Sequence, residues 1–317
     1  MSLSPLSHCE LCPRRCGADR LAGRTGWCGA GALARVYRWG LHDGEEPPVS
    51  GTRGSGTVFF SHCTLGCLYC QNFRWSQERR GADLDAPALA RVFQDLARRG
   101  AHNINLVTPT MWLPQIAEAA DLAKAVGIRL PFVYNTSGFE RIQVAEQYVR
   151  LMDVVLTDLR YANPATAAAA SASANYVEAS RAFAEWAWRR IGPLETDSGG
   201  IARRGVICRV LVLPGRAGEA CETLEWIART LGTEVHVSVM SQYAPVFRAP
   251  ATPGWDRPVA RDEYERVTDR LEALGFENGW TQEYGTETPE TLHGWQMPEG
   301  GGIPAPTEPP PTRASNP

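Results

Sequence analysis

Six short apolar segments, separated by stretches with helical periodicity, most constrain how this chain can fold. They occupy residues 58–60, 104–107, 131–134, 154–157, 206–212 and 235–240. Strands with nearly continuous apolar sequence are buried on both faces, which is typical of a parallel sheet covered by helices. The sequence therefore predicts an α/β fold in which six strand–helix units form an open or partial (β/α)6 barrel.

Capping residues support the helices between these segments. Asp85 is a favourable N-cap, Pro87 follows in the first turn, and Gly100 comes after the last apolar position. A second helix is predicted to begin near Pro114 and to end near Gly127. These signals indicate one helix after each of the first two predicted parallel strands.

A loop with three cysteines follows the first predicted strand. Cys63, Cys67 and Cys70 are spaced C-x3-C-x2-C. Three thiolates this close together can hold three irons of a [4Fe–4S] cluster, and they leave the fourth iron without a protein ligand. An open iron can bind a substrate or a cofactor, so the incomplete ligand set indicates catalysis.

Two other interpretations of this loop are a structural zinc site and three ordinary buried thiols. Structural zinc usually has four ligands in two cysteine knuckles. No fourth ligand follows Cys70 closely, and His62 adjoins Cys63, where it is badly placed to complete a tetrahedron. The spacing therefore favours the open iron–sulfur cluster.

Polar residues follow the other predicted strands. In parallel α/β folds the loops at the carboxyl ends of the strands carry the chemistry. Each of these residues is also a common capping or turn residue, but their shared position predicts one polar site at the mouth of the barrel. They are Thr108 and Thr110, Asn135, Thr136 and Ser137, Asp158, and Ser241 and Gln242.

A second cysteine set lies near the N-terminus and comprises Cys9, Cys12, Cys16 and Cys28. Four soft ligands within this short stretch predict a closed metal site. The Cys-Gly pairs are typical of zinc knuckles, whereas the compact first three cysteines could surround an auxiliary [4Fe–4S] cluster. The remaining alternative is four unligated thiols.

Bulk composition points to an enzyme rather than to a nucleic-acid or membrane protein. The 317-residue chain has a formal net charge of −3 and no apolar run of about 18 residues. Its N-terminus lacks the apolar core of a signal peptide. Nine cysteines in such a chain are better explained by metal than by disulfides. These features predict a cytoplasmic protein.

Several segments together resemble a known family. The cysteine loop, with Tyr69 and Asn72 in or beside it, is similar to that of the radical S-adenosylmethionine (radical SAM) superfamily. Segments 44–57, 101–110, 133–138 and 240–243 narrow the resemblance to PflX-type homologues of pyruvate formate-lyase activating enzyme. The similarity runs from about Cys9 to about Glu283, and the family shares the N-terminal cysteine quartet without deciding its metal.

The resemblance implies a fold, a cofactor and a set of contacts. It implies a partial barrel with the cluster loop after its first strand, and SAM bound to the open iron through its amino and carboxylate groups. Met111 departs from the family, since many relatives have histidine there. The implied SAM-binding residues are Tyr69 and Asn72 in the cluster motif, Thr108 and Thr110 for the amino group, Asn135, Ser137 and Asp158 for the ribose and carboxylate, and Ser241 and Gln242 at the last strand.

The resemblance also implies a reaction and partners. An electron donor such as flavodoxin or ferredoxin would reduce the cluster, SAM would be cleaved to a 5′-deoxyadenosyl radical, and hydrogen would be abstracted from a glycine of a glycyl radical enzyme. Such a protein is an oxidoreductase that acts as an activase. The alternatives are a radical SAM enzyme with another peptide or small-molecule substrate, and a non-catalytic iron–sulfur protein that does not bind SAM.

The predicted organisation has three parts: an N-terminal cysteine-rich extension over 1–50, the radical SAM partial barrel over 51–284, and a Pro/Gly-rich tail over 285–317. The tail is expected to be disordered because it contains few apolar residues, most clearly over 297–317. Cys208 and Cys221 are predicted to be buried free thiols, and Trp186 and Trp188 to be packing residues.

Overall fold

A large mixed sheet organises the protein. The computed structural model of the chain describes residues 4–285. Within that range the strands are β1 (Ala34–His42), β2 (Ser55–Phe60), β3 (Ala82–Leu84), β4 (Ile104–Val107), β5 (Phe132–Thr136), β6 (Val154–Asp158), β7 (Glu195–Thr196), β8 (Ala202–Leu211), β9 (His236–Met240) and β10 (Gly279–Thr281).

Helices occupy most of the connections between these strands. They are α1 (Pro47–Ser50), α2 (Phe73–Ser76), α3 (Ala86–Arg98), α4 (Leu113–Ala125), α5 (Ile142–Gln147), α6 (Pro164–Ser171), α7 (Tyr176–Ile191), α8 (Ala217–Thr230) and α9 (Arg261–Ala273). Short 3-10 helices lie at Ser4–Leu6, Thr110–Trp112, Val149–Leu151 and Ala249–Ala251.

The strand order is β10-β9-β8-β6-β5-β4-β2-β1-β3, with β7 beside β8. Every neighbouring pair from β2 to β10 along this path is parallel, whereas β1 and β3 extend the sheet in antiparallel fashion. The path is open, because β10 and β3 form its two ends. The prediction of an α/β fold is confirmed at the level of a mixed α/β fold with a large, unclosed sheet.

The six predicted strands correspond to β2, β4, β5, β6, β8 and β9. Four other strands of residues 4–285 were not predicted from the sequence, namely β1, β3, β7 and β10. Three of these are only two or three residues long and carry too little pattern to recognise. The fourth, β1, contains a partly exposed Arg35 and a buried Arg38, so its sequence lacks the continuous apolar run of a central strand.

Strand β1 ties the cysteine-rich segment to the sheet. It pairs with β2 along most of its length, with Trp39 opposite Val58 and His42 opposite Ser55. Part of the region predicted as an extension therefore lies in the same sheet as the cysteine loop. The division at residue 50 stays a prediction, and the predicted tail over 285–317 lies outside the described residues apart from its first position.

The core lies between the sheet and its helices. Helices α3 and α4 pack on one another and bury Leu89, Phe93 and Ile116 completely. The predicted N-cap of α3 is confirmed, since Asp85 accepts a hydrogen bond from the Ala88 amide at 2.8 Å. In residues 4–285 no helix combines the length and the apolar character that a membrane span requires.

The two cysteines outside the predicted metal sites differ in burial. Cys208 is completely buried in β8, as predicted. The prediction of a buried thiol is wrong for Cys221, which is only half-buried because its neighbours on α8 and α9 include the charged residues Glu225, Arg266 and Arg270. Its Sγ lies 3.8 Å from the Arg266 carbonyl oxygen. Trp186 is also half-buried and donates a hydrogen bond to Glu146.

Candidate functional site

A cavity of about 340 Å3 lies at the carboxyl ends of the parallel strands. Cys63, Cys67 and Cys70 all line it. So do most of the polar residues predicted at the strand ends. Those that line it are Tyr69, Asn72, Thr108, Asn135, Thr136, Ser137, Asp158 and Gln242. The fold therefore brings the cysteine loop and the strand-end side chains into one space, which the sequence alone could only suggest.

Two predicted cofactor contacts lie elsewhere. Thr110 is buried, and its hydroxyl donates to Glu140 at 2.6 Å. Ser241 uses its backbone amide to bind the side chain of Gln282 at 2.9 Å, and its side chain is not among those that line the cavity. Tyr69 borders the cavity, but its hydroxyl lies 2.5 Å from that of Tyr161 and so points into the protein.

The cysteine loop is held from several directions. His62, two residues after the end of β2, has a φ of +71°, a left-handed conformation that is uncommon for a residue with a side chain. The Gly66 and Leu68 amides donate to carbonyl oxygens of Ser171 and Ala170 at the end of α6, at 3.1 and 2.8 Å. The loop conformation is thus determined by tertiary contacts as well as by its own sequence.

Each cysteine sulfur in the loop has a hydrogen-bonding group beside it. These partners are the Leu65 amide for Cys63 (3.4 Å), the Ser171 hydroxyl and the Arg160 guanidinium for Cys67 (2.9 and 3.2 Å), and the Ser76 hydroxyl for Cys70 (3.1 Å). Donors aimed at sulfur stabilise the thiolate form, which is the form that binds iron. The donor set therefore fits an iron–sulfur cluster.

Burial and repulsion from neighbouring sulfurs raise the pKa values of Cys63 and Cys70. Burial raises the pKa of Cys63 far above its ordinary value, and the neighbouring Cys67 and Cys70 raise it further. Burial and Cys67 likewise raise the pKa of Cys70 to about 11. Because iron–sulfur clusters bind thiolates, a cluster held here would displace protons from Cys63 and Cys70.

Groups of both charges line the cavity beside the cysteines. The Asp158 carboxylate accepts two hydrogen bonds from the Arg160 guanidinium, at 2.6 and 3.0 Å. The same guanidinium reaches the sulfur of Cys67. A carboxylate and a guanidinium held side by side can bind a ligand that carries both an amino group and a carboxylate.

A second group of charged residues in the cavity was not predicted from the sequence. Arg209 projects from β8 into the cavity and pairs with both Glu45 and Glu46, with its Nε 2.8 Å from Glu46 Oε1. Glu45 Oε1 also accepts from the amides of Asn105 and Asn135, at 2.8 and 3.2 Å. Two sequence signals were present: a lone arginine inside an apolar strand, and two carboxylates just before a Pro-Pro pair.

Arg209 keeps the buried Glu45 ionised. Burial is the largest influence and by itself would raise the pKa of Glu45, but Arg209, His42 and Asn105 together hold the pKa below its ordinary value. The three side chains are at most 11% exposed. Together Arg209, Glu45 and Glu46 form a charged wall of the cavity, in which the arginine offsets the negative charge of the carboxylates.

Gly138 permits a close approach beside Asp158. Its φ is +79°, and a Cβ at this position would lie 2.6 Å from the Asp158 carbonyl oxygen. The turn after β5 can therefore pass against the end of β6 only without a side chain. This contact places Ser137 and Asp158 on the same side of the cavity.

The four N-terminal cysteines differ in how far they are buried. Cys9 is buried, Cys12 and Cys28 are half-buried, and Cys16 is exposed. Burial raises the pKa of Cys12 to about 12, and the Cys28 and Cys9 thiols raise it further by a smaller amount. These three thiols therefore lie near one another. Across residues 4–285, no three His, Cys, Asp or Glu side chains converge on a position for a single metal ion.

Arg14 lies between the two cysteine sets. Its Nε donates to the Thr64 carbonyl oxygen at 2.6 Å, and its Nη2 donates to the Ala172 carbonyl oxygen at 2.8 Å. Its guanidinium also stacks on the Trp27 ring, 3.8 Å from the ring centroid. The N-terminal segment is thereby attached to the cysteine loop and to the end of α6.

Comparison with known proteins agrees with the chemistry of the loop. A family model described as a 4Fe-4S single cluster domain matches residues 49–177, which contain Cys63, Cys67 and Cys70. Uncharacterized protein MJ0674 of Methanocaldococcus jannaschii is 24% identical over 279 residues, covering 85% of this chain and 76% of the relative. The family match supports an iron–sulfur protein with a [4Fe–4S] cluster in the segment that carries the three cysteines.

Proposed function

We propose that this protein is a radical SAM enzyme in which Cys63, Cys67 and Cys70 hold a [4Fe–4S] cluster and the adjoining cavity binds SAM. One observation carries the proposal: three thiols from a single loop and polar side chains from the ends of neighbouring parallel strands line the same cavity. On this interpretation the open sheet is a partial (β/α)6 barrel. The cavity volume of about 340 Å3 is within the usual range for small-molecule sites.

The protein's own residues would bind and orient the cofactor. Arg160 offers a guanidinium to a carboxylate, whereas Asp158 and Asn135 offer oxygens to an amino group or to ribose hydroxyls. When bound, the cluster supplies an electron that cleaves a C–S bond of SAM and yields a 5′-deoxyadenosyl radical. The surrounding protein positions the reactants and keeps water away from them.

The finer assignment is to activation of a glycyl radical enzyme, with hydrogen removed from a glycine Cα of that partner. It is supported by the resemblance of segments 44–57 and 133–138 to activating enzymes. We further propose a reductant such as flavodoxin or ferredoxin and a cytoplasmic location. The quartet Cys9, Cys12, Cys16 and Cys28 would hold a second metal centre, either iron–sulfur or zinc.

The first experiment measures SAM cleavage by the reduced, anaerobically reconstituted protein. The variants Cys63→Ala, Cys67→Ala and Cys70→Ala are expected to release no 5′-deoxyadenosine, because each removes a cluster ligand. Cys221→Ala is the matched control, since this thiol lies on α8 outside the cavity. Normal cleavage by any of the three loop variants would refute the mechanism.

A second measurement separates the enzyme from an iron–sulfur carrier. Addition of SAM to the reduced protein is expected to change the electron paramagnetic resonance (EPR) spectrum of the cluster, because SAM would bind the open iron. A carrier would give the same spectrum with and without SAM. For the activase assignment, a glycyl radical signal should arise in a candidate partner enzyme only when SAM and this protein are both present.

A further inference from the structure

The C-terminal end of α6 lies directly against the cysteine loop. Most residues of this helix are alanines. Its last residue, Ser171, is completely buried and places its hydroxyl 2.9 Å from Cys67 Sγ. Its last two carbonyl oxygens also accept the Gly66 and Leu68 amides. The helix end therefore contacts both the backbone of the loop and one of its sulfurs.

A chain of buried hydroxyl groups continues from Ser171. The Tyr161 hydroxyl lies 2.6 Å from Ser171 Oγ, and the Tyr69 hydroxyl lies 2.5 Å from that of Tyr161. All three residues are at most 5% exposed. Ser171 and Tyr161 are not among the residues that line the cavity. They reach the site through Cys67 and Tyr69, both of which line the cavity, without lining it themselves.

If Cys67 binds iron, the donor and the acceptor in each of these hydroxyl–hydroxyl hydrogen bonds can be assigned. A thiolate has no proton and can only accept, so Ser171 donates to the sulfur. The Ser171 oxygen is then free to accept from Tyr161, and the Tyr161 oxygen can accept from Tyr69. Hydrogen bonds aligned in this way polarise one another, so the donor at the sulfur is strengthened by the two behind it.

We propose that the Ser171–Tyr161–Tyr69 hydroxyl chain raises the reduction potential of the cluster held by Cys67. The inference rests on the proposed cluster at Cys63, Cys67 and Cys70. Reduction adds negative charge to the cluster and its sulfurs, and a hydrogen bond to sulfur stabilises that charge. Ser171 and Tyr161 are thus positioning residues that make the cluster easier to reduce without touching the cofactor.

The Arg160 guanidinium is a second donor to the same sulfur, but it also lines the cavity. A change at Arg160 would alter cofactor binding and cluster environment together. Ser171 and Tyr161 separate the two effects because neither borders the cavity. They are therefore the positions at which the proposal can be tested.

The test is an EPR-monitored redox titration of the full-length, anaerobically reconstituted protein without SAM. A hydrogen bond to a charged group can change an equilibrium about tenfold. Ser171→Ala is expected to lower the ratio of reduced to oxidised cluster about tenfold at a fixed potential, which is a shift of about 59 mV to more negative values. Tyr161→Phe should shift it in the same direction by less, because Ser171 remains.

Ser173→Ala is the matched control. It removes a buried hydroxyl two residues away, whose partner is the Asn175 side chain at 2.8 Å and not a cysteine. The control should leave the midpoint potential unchanged. If Ser171→Ala does not retain its cluster, Tyr161→Phe supplies the comparison, since it keeps the serine beside the sulfur.

Two different failures can be told apart. A wild-type midpoint potential in both Ser171→Ala and Tyr161→Phe, with a cluster that still responds to SAM, would overturn the hydroxyl-chain inference alone. An equal shift in Ser173→Ala would overturn it as well, since the effect would not be specific to the chain. Failure of the wild-type protein to form a cluster would overturn the proposed function together with this inference.

Discussion

The side chain of His62 joins the two cysteine sets, with Nδ1 2.8 Å from the carbonyl oxygen of Cys28. Because a carbonyl can only accept, Nδ1 carries the proton in this contact. The residue that precedes Cys63 is therefore hydrogen-bonded to the last cysteine of the N-terminal quartet. Its left-handed backbone is stabilised by this bond and by packing of the imidazole against Trp112.

This relationship predicts the effect of changing His62. His62→Ala removes the hydrogen bond from a buried carbonyl while it keeps the strained backbone, and we expect it to lower the free energy of unfolding by about 2 kcal/mol. His62→Asn should lose less, because asparagine tolerates the left-handed conformation and keeps a donor. Urea unfolding of the metal-free proteins measures both. Equal stability of wild type and His62→Ala would contradict the prediction.

Metal analysis tests the two cysteine sets together. We expect about eight irons in the reconstituted wild type, corresponding to two four-iron clusters. Cys63→Ala and Cys12→Ser should each lose about four, whereas Cys221→Ala should lose none. Measurement of iron, sulfide and zinc provides the result. About four irons with one zinc would instead identify the N-terminal site as structural zinc.

Glu140 predicts a pH dependence of stability. Burial raises the pKa of this carboxyl from 4.5 to about 7, although Thr110 and Thr136 both donate to its Oε1. The folded protein then binds this proton more tightly than the unfolded chain, so the contribution is favourable at low pH and is lost as the pH rises from about 4.5 to about 7.

The matching variant is Glu140→Gln, whose amide oxygen can accept both threonine bonds without becoming charged. Between pH 5.5 and 8 we expect the wild type to lose about 2 kcal/mol more unfolding free energy than Glu140→Gln, because only the wild type must ionise a buried group. Urea unfolding at the two pH values measures this difference. Parallel pH profiles for the two proteins would show that Glu140 does not titrate in this range.

The charged wall of the cavity predicts non-additive substitutions. Arg209→Met leaves Glu45 and Glu46 buried without their cation, and we expect a loss of about 3–5 kcal/mol in unfolding free energy. Adding Glu45→Gln and Glu46→Gln should recover most of that loss, because the carboxylates are then no longer charged. Urea unfolding of the single, double and triple variants tests the coupling. A triple variant as unstable as Arg209→Met would argue that the arginine acts through packing alone.

Gly138 predicts an effect on cofactor binding. Gly138→Ala would place a methyl group against the Asp158 carbonyl oxygen, so we expect it to displace Ser137 and Asp158 and to weaken SAM binding about tenfold or more. Gly127→Ala is the control, because Gly127 also has a positive φ but no atom within 4 Å of the added carbon. Calorimetric titration with SAM distinguishes them. Similar affinities for the two variants would show that the close contact does not shape the site.

Much of the parallel sheet could be read from the sequence because its signals are local. The apolar runs around Val58, Leu106, Val155 and Val206 each mark one buried strand, and the cap at Asp85 marks the start of a helix. Strand β1 was not predicted because a strand with partly exposed positions and two arginines does not show that pattern. Its pairing with β2 depends on residues that are distant in the chain.

The sequence by itself determined the C-x3-C-x2-C spacing, from which the proposed cluster chemistry follows, since ligand type and spacing are properties of a few adjacent residues. Tertiary structure alone decided that Arg160 and Ser171 lie beside the Cys67 sulfur and that Arg209 pairs with Glu45 in the same cavity. The physical reason is that a hydrogen bond or an ion pair depends on distance in space, which periodicity and spacing along a chain do not specify.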